Sequence, residues 1–356
     1  MNLDDHNSFA FLDPQDMLGH IDGLPAQLQA AWELGHKQPL PDWEGIERIV
    51  IAGMGGSAIG ADLLAAFVED KCSLPLVVHR DYDLPAWANG PGTLVIASSH
   101  SGNTEETLSS FRRALENGCR CLSLTTGGQL AQATQDSNMA LWAFEHAGQP
   151  RAAVGYSFGL LLALFSRLNL IPEPKEEVAE AVQAMREQQE VIRADVPAVR
   201  NPAKRMAGQL VGRWISVFGS GILNPVARRW KGQFSEIAKA WAQFEFLPEA
   251  DHNTLAGTIH PEDVLRRTTA IFLRCPADHP RNRQRLELTR KTFMLEGIST
   301  DFQDGKGQTP LGHQWTTLHF GDYSAYYLAM IYGVDPTPVE ALEGFKKELQ
   351  ASQQAG

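Results

Sequence analysis

Short, nearly unbroken apolar runs alternate along this chain with longer segments whose apolar positions recur every three or four residues. The runs ERIVIAG, PLVVHR, TLVIASS and CRCLSLTT have the length and β-branched content of buried strands. A helix is predicted from Ser57 after the first of them, and NTEETLSSFRRALENG is an amphipathic helix closed by a glycine C-cap. A short helix near 128–134 and a strand in MALWAF complete the series. Apolar strands alternating with helices predict an α/β domain, a parallel sheet covered on both faces. Residues 14–35, ahead of it, read as helical with a break near Gly23-Leu24-Pro25.

Pro150 opens a different region. RAAVGYSFGLLLALFSRLNLIP predicts an apolar helix stopped by Pro172, and residues 174–196 a charged, solvated helix between domains. The first pattern then restarts. RWISVFGSG (213–221) is a strand entering a glycine turn, with a helix from about Asn224. QFEFLP, TTAIFLRC and ISTDFQ follow as strands, and TTLHFGDYSAYYLAMIYG as a final amphipathic helix. VFGSG thus stands where AGMGG stands in the first half, a duplicated architecture. The predicted boundaries are 1–40 for a helical segment packing on the core, 41–150 for a first domain, 151–200 for a helical connector and 201–356 for a second domain.

Composition narrows the function. A chain of 356 residues exceeds one ordinary core, so two domains are expected. The formal net charge of −11 leaves no basic footprint for nucleic acid, so an anionic ligand must be held locally by N–H groups, hydroxyls and a few cations. Cys119 and Cys121, one residue apart, are expected on opposite faces of a strand. With Cys72 and Cys275 they are read as free thiols in a reducing compartment. The acidic start MNLDDHNSFAFLDPQ does not read as a secretory signal, and no apolar stretch approaches a membrane span. A cytoplasmic protein without a membrane partner is expected.

The turn GMGGSAIG (53–60) lies between a strand and a helix start, where free N–H groups and the helix dipole favour a phosphate. Alone it suits a dinucleotide, with Asp81 after the next strand as a ribose-binding acid. No GKS or GKT follows, which excludes a Walker loop. The next loop, SSHSGNTEET, shifts the balance. Ser99, Ser101 and Thr104 bring small hydroxyls to a second helix start, beside Gly55, Gly56 and Ser57. Many short donors around one group suit a compact monophosphate. The second-half turn has no such partner in TTAIFLRCPADHPRN, so one phosphate site per chain is expected, in the first domain.

GMGGSAIG followed by SSHSGNTEET resembles the sugar isomerase (SIS) domain. The likeness extends over nearly the whole chain. GQPRAAVGYSFG, RRWKGQFSEIAKAWAQFEFLPEADHNTLAGT and GDYSAYYLAMIYGVDPTPVEALEGFKKEL resemble the bifunctional phosphoglucose/phosphomannose isomerases, which carry two SIS domains. The chain departs from that pattern at Ser235, before Glu236, and around Ala250-Asp251-His252-Asn253-Thr254. The Glu and the His stay in place.

The resemblance implies two doubly wound SIS-type domains and an isomerase linking fructose 6-phosphate with glucose 6-phosphate and mannose 6-phosphate through a cis-enediol, with no metal or redox cofactor. It makes Glu236 the carboxylate that moves a proton between C1 and C2. It makes His252 a ring-opening acid/base that reaches the neighbouring subunit's site, and so implies a homodimer with shared sites. Arg151 faces the enediolate oxygens, where a permanent planar cation fits. Lys346, with Lys347 adjacent, matches a lysine near the ring-opening site, and Thr337 a position near the sugar C2. The competing reading is a non-catalytic SIS-domain regulator that binds a sugar phosphate. Such regulators usually carry a helix-turn-helix region, for which this chain's start is short and acidic.

Overall fold

The computed structural model describes residues 2–354. Its first third runs α1 (Met17–Asp22), α2 (Leu24–Lys37), β1 (Arg48–Gly53), α3 (Gly55–Val68), β2 (Leu76–His79) and β3 (Thr93–Ser98). Then come α4 (Glu105–Glu116), β4 (Arg120–Thr125), α5 (Gly128–Asp136), β5 (Ala140–Ala143), α6 (Val154–Arg167) and α7 (Lys175–Ile192). The second half holds α8 (Pro202–Gln209), β6 (Trp214–Ser220), α9 (Asn224–Glu236), β7 (Ala242–Leu247), α10 (Glu262–Leu265) and β8 (Thr268–Arg274). It ends with α11 (Pro280–Leu295), β9 (Ser299–Asp304), α12 (Pro310–Tyr332) and α13 (Glu340–Gln354).

Two parallel sheets result, ordered β2-β1-β3-β4-β5 and β7-β6-β8-β9. Both are α/β sheets wound outward in two directions from a central pair, β1 with β3 and β6 with β8. The turns that leave β1 and β6 match closely. Met54 and Ser220 have φ/ψ of −126/156 and −137/155, and the next residues, Gly55 and Gly221, sit at φ +49 and +50. A left-handed residue at that point turns the strand into the helix, which is why both are glycine.

Strand periodicity divides the core. Ile49, Ile51, Leu94, Ile96, Leu122 and Leu124 face a large central core shared with Ile215, Val217, Ile271 and Leu273 of the second sheet. The helices α2, α3, α6, α7, α9 and α12 fill the space between the sheets. Val50, Val95 and Ala97 face outward under α4 and α5, and Phe218, Ala270 and Phe272 under α11.

Three expectations change. Cys119 and Cys121 lie on the same side, both in the outer core of the first sheet, because side chains two apart share a face. All four cysteines are free. Helix α12 is buried on every side rather than amphipathic, since α7, α8 and α9 surround it. Helix α7 is not a solvated bridge: Val178, Val182, Met185 and Ile192 seal it onto the core.

Candidate active site

β1 and β3 are neighbours whose following helices leave in opposite directions, which opens a crevice beyond their carboxyl ends. The two polar loops meet there. The Ser57 hydroxyl accepts the His100 backbone N–H at 3.1 Å. Ser99 Oγ accepts the Gly102 N–H at 3.1 Å and pairs with Thr104 Oγ1 at 3.0 Å. Ser101 Oγ accepts the Asn103 N–H at 3.2 Å and is exposed. Each serine oxygen accepts a backbone N–H, so the Ser57 and Ser101 hydroxyls keep a proton to donate. Thr104 makes no side-chain capping bond to α4. Asp81 sits on the surface, accepting the Tyr82 N–H at 2.8 Å, in a local turn rather than at the glycine loop.

Arg151 enters from a 3-10 turn, Pro150–Ala152, which packs directly on Gly56. Gln27 on α2 clamps the turn, donating to the Ala152 carbonyl at 2.9 Å and accepting the Gly155 N–H at 2.7 Å. The Arg151 guanidinium is 4% exposed and lies 3.4 Å from Glu236 Oε2. Its Nη2 donates to the Pro336 carbonyl at 2.9 Å and to the Thr337 carbonyl. Burial lowers the Arg151 pKa from its usual value, and Glu236 draws it back up. An arginine keeps its charge through such a change.

Glu236 is the last residue of α9, and its side chain is 32% exposed toward the crevice. Beside it Lys239, a left-handed residue at φ +55, donates its ammonium to the Glu236 carbonyl at 2.6 Å. Burial, with Arg151 adding to it, lowers the Lys239 pKa. Thr337 is 3% exposed, and its hydroxyl has no hydrogen-bond partner among the described residues.

The structure therefore brings Gly55, Gly56, Ser57, Ser99, Ser101 and Thr104 to one crevice, and Arg151, Glu236 and Thr337 to its flank. It does not bring His252 or Lys346 to them within one chain. His252 ends an exposed 3-10 turn, Glu249–His252. The unusual Asp251 pins that turn to α11 through Arg285 at 3.0 Å and Thr289 at 2.5 Å, which leaves His252 outward. Lys346 and Lys347 are both exposed on α13. Among the described residues, no cluster of three or more His, Cys, Asp or Glu side chains could hold a metal ion.

Sequence reading missed the residues behind Arg151: Arg229, Gln233 and Asp322, all buried, with Arg229 and Gln233 both donating to Asp322. The one available signal was spacing. Residues 229, 233 and 236 fall on one face of α9.

Two doubly wound parallel sheets with a pair of polar loops at one switch point define an SIS-type protein. Residues 199–349 match the family model described as "Bacterial phospho-glucose isomerase C-terminal SIS domain". The fold superimposes on the crystal structure of a hypothetical protein from Thermus thermophilus with a TM-score of 0.72 at 17% identity, covering 96% of this chain and 91% of that one.

The family is settled by closer relatives. The bifunctional phosphoglucose/phosphomannose isomerase of Caldicellulosiruptor bescii is 38% identical over 337 residues, covering 94% of this chain and 98% of that protein. The protein of the same description from Aquifex aeolicus is 31% identical, covering 87% and 94%. The chain belongs to the bifunctional phosphoglucose/phosphomannose isomerase family.

Proposed function

We propose that this protein is an aldose–ketose isomerase that interconverts glucose 6-phosphate and mannose 6-phosphate with fructose 6-phosphate. One observation carries the reading at the level of chemistry. A carboxylate paired with a buried arginine stands beside an anion crevice, joined to it through the Gly56–Pro150 contact.

The phosphate is held by Ser57, Ser99, Ser101, Thr104 and the N–H groups around Gly55 and Gly56. Glu236 takes the proton from C2 of the open-chain aldose, and the electron pair moves into the C1–C2 bond. The charge that develops on the O1 oxygen lies against Arg151, a preorganised cation in a dry setting. Glu236 returns the proton to C1, the O2 proton passes to O1, and C2 becomes the ketone. The enediol has no stereocentre at C2, so a single base serves both the glucose and the mannose epimer when rotation about C2–C3 turns either face toward it. The small, buried Thr337 leaves room for either arrangement at C2.

His252 and Lys346 act across a homodimer in this proposal. The outward His252 supports it, as does the exposed stripe Leu342, Phe345 and Leu349, at i, i+3 and i+7 on α13. Among the described residues, no helix is long and apolar enough to cross a membrane. The free cysteines suit a reducing cytoplasm, where we place the protein.

A coupled assay of glucose 6-phosphate formation from fructose 6-phosphate tests the reading. Turnover in the wild type that is lost in Glu236→Gln supports it. Binding of phosphosugar without turnover in the wild type would favour a regulator instead.

A further inference from the structure

The turn that carries Arg151 is held from behind by a buried polar group that the reaction above does not use. The Arg229 and Asp322 side chains are each 3% exposed. The guanidinium grips the carboxylate through Nε at 3.1 Å and Nη2 at 2.6 Å. Gln233 donates to the same carboxylate at 2.9 Å. Arg229 Nη2 has a second acceptor, the main-chain carbonyl of Arg151, at 3.1 Å. Three elements meet here: α9 through Arg229 and Gln233, α12 through Asp322, and the 3-10 turn through Arg151. The face of α9 that carries this group also carries Glu236, so one rigid helix fixes both partners of the Arg151–Glu236 pair.

Stability does not account for the arrangement. Two buried charges lose hydration that their attraction roughly offsets, and apolar side chains of similar volume do as well or better. An apolar filling could not donate to the Arg151 carbonyl. Nor could a second guanidinium sit beside Arg151 unless a carboxylate neutralised it. Burial lowers the Arg151 pKa, the Arg229 charge lowers it further, and Asp322 answers that charge at contact distance.

We propose that Asp322, Arg229 and Gln233 form a brace that sets the Arg151 main chain, and through it the guanidinium, against Glu236. They are positioning residues for the isomerisation. The proposal rests on the roles given above to Arg151 and Glu236. The brace governs the reaction step and leaves the grip on phosphate alone, since that grip lies on the loops of the first sheet.

Steady-state kinetics and thermal unfolding of the full chain test it. Arg229→Met with Asp322→Asn leaves no unpaired charge inside, so the protein should unfold cooperatively as the wild type does. Its KM should stay within about threefold while kcat falls about 10- to 100-fold. In an Arg151→Lys background the same two changes should lower kcat by less than about twofold, because the brace acts through Arg151. A folded double variant with wild-type kcat overturns the proposal, as do losses that multiply in full with Arg151→Lys. If the double variant does not fold, Arg229→Lys replaces it with the same expected split, since a lysine pairs with Asp322 but lacks the second fork donor. Wild-type rates in both Arg151→Lys and Glu236→Gln would overturn the site assignment itself. Loss in those two with full kcat in the brace variants would overturn the brace alone.

Discussion

No side chain fits between Gly56 and Arg151. A Cβ on Gly56 would come 2.6 Å from the Pro150 carbonyl oxygen and 2.9 Å from the Arg151 nitrogen. The Gly56 loop and the turn that carries Arg151 therefore touch backbone to backbone, and their spacing is fixed. Gly56→Ala must push that turn away. The expected result is a drop in kcat/KM of at least about tenfold, with a destabilisation of about 1–3 kcal/mol from overpacking, read by kinetics and thermal unfolding.

Glu236→Gln keeps the shape of the side chain and removes the base. A positioned general base contributes about 10²- to 10⁴-fold, so kcat should fall by that order with KM little changed. A variant that isomerises at the wild-type rate would remove Glu236 from the mechanism.

Ser57→Ala should act differently. It withdraws a hydroxyl donor from the phosphate and leaves the His100 N–H without its acceptor. A hydrogen bond to a charged group is worth about 1.5–3 kcal/mol, so affinity for phosphosugar should weaken by about 10- to 100-fold. Inhibition by inorganic phosphate should weaken in parallel, because the same loop holds both.

Sharing of the site across a dimer is open to complementation. Glu236→Gln and His252→Ala should each be inactive alone. Mixed and re-associated in equal amounts, half the dimers are hybrids, and each hybrid keeps one of two sites intact. Recovery of about a quarter of wild-type activity is expected. No recovery in a mixture shown to exchange subunits would show that His252 does not act across the dimer.

His319 ties α12 to α1 by donating Nε2–H to the Ile21 carbonyl at 2.8 Å. Complete burial pushes its pKa down to about 4 from 6.5. The folded state resists a proton that the unfolded chain accepts. Stability from this group is full above pH 6.5 and is lost as the pH falls toward 4, by about 3 kcal/mol at most. His146, lowered to about 4 by burial, acts in the same sense, while Asp278, raised to about 6 by burial, opposes it. The measurement is thus a comparison. His319→Gln should lose stability less steeply than the wild type between pH 6.5 and 4 in urea titrations.

Much of this was legible in the chain. Apolar runs entering glycine or serine turns marked β1, β3 and β6, because a buried parallel strand leaves few other sequences possible. The loops at Gly55 and Ser99 stood out as polar strand-to-helix turns through residue type alone. What stayed hidden was contact at a distance. Arg229 and Asp322 are 93 positions apart and carry no motif, so only packing shows that they meet. The same holds for α12. Helical periodicity marks one wet face, and a helix walled in by three others has none. The Cys119–Cys121 expectation failed for a simpler reason: the two-residue repeat of a strand was applied with the wrong phase.

The matched turns at Gly55 and Gly221 have a further consequence. The first keeps its crevice for a ligand. In the second, Asp278 reaches back to the Ser220 hydroxyl and is buried there. The helix that follows this closed turn, α9, presents Glu236 at its far end instead. On the proposed roles the two copies divide the work, recognition at the head of a helix in one and reactivity at the tail of a helix in the other. Substrate handling and bond-making then sit on separate stretches of the gene, and selection can tune either one without disturbing its twin.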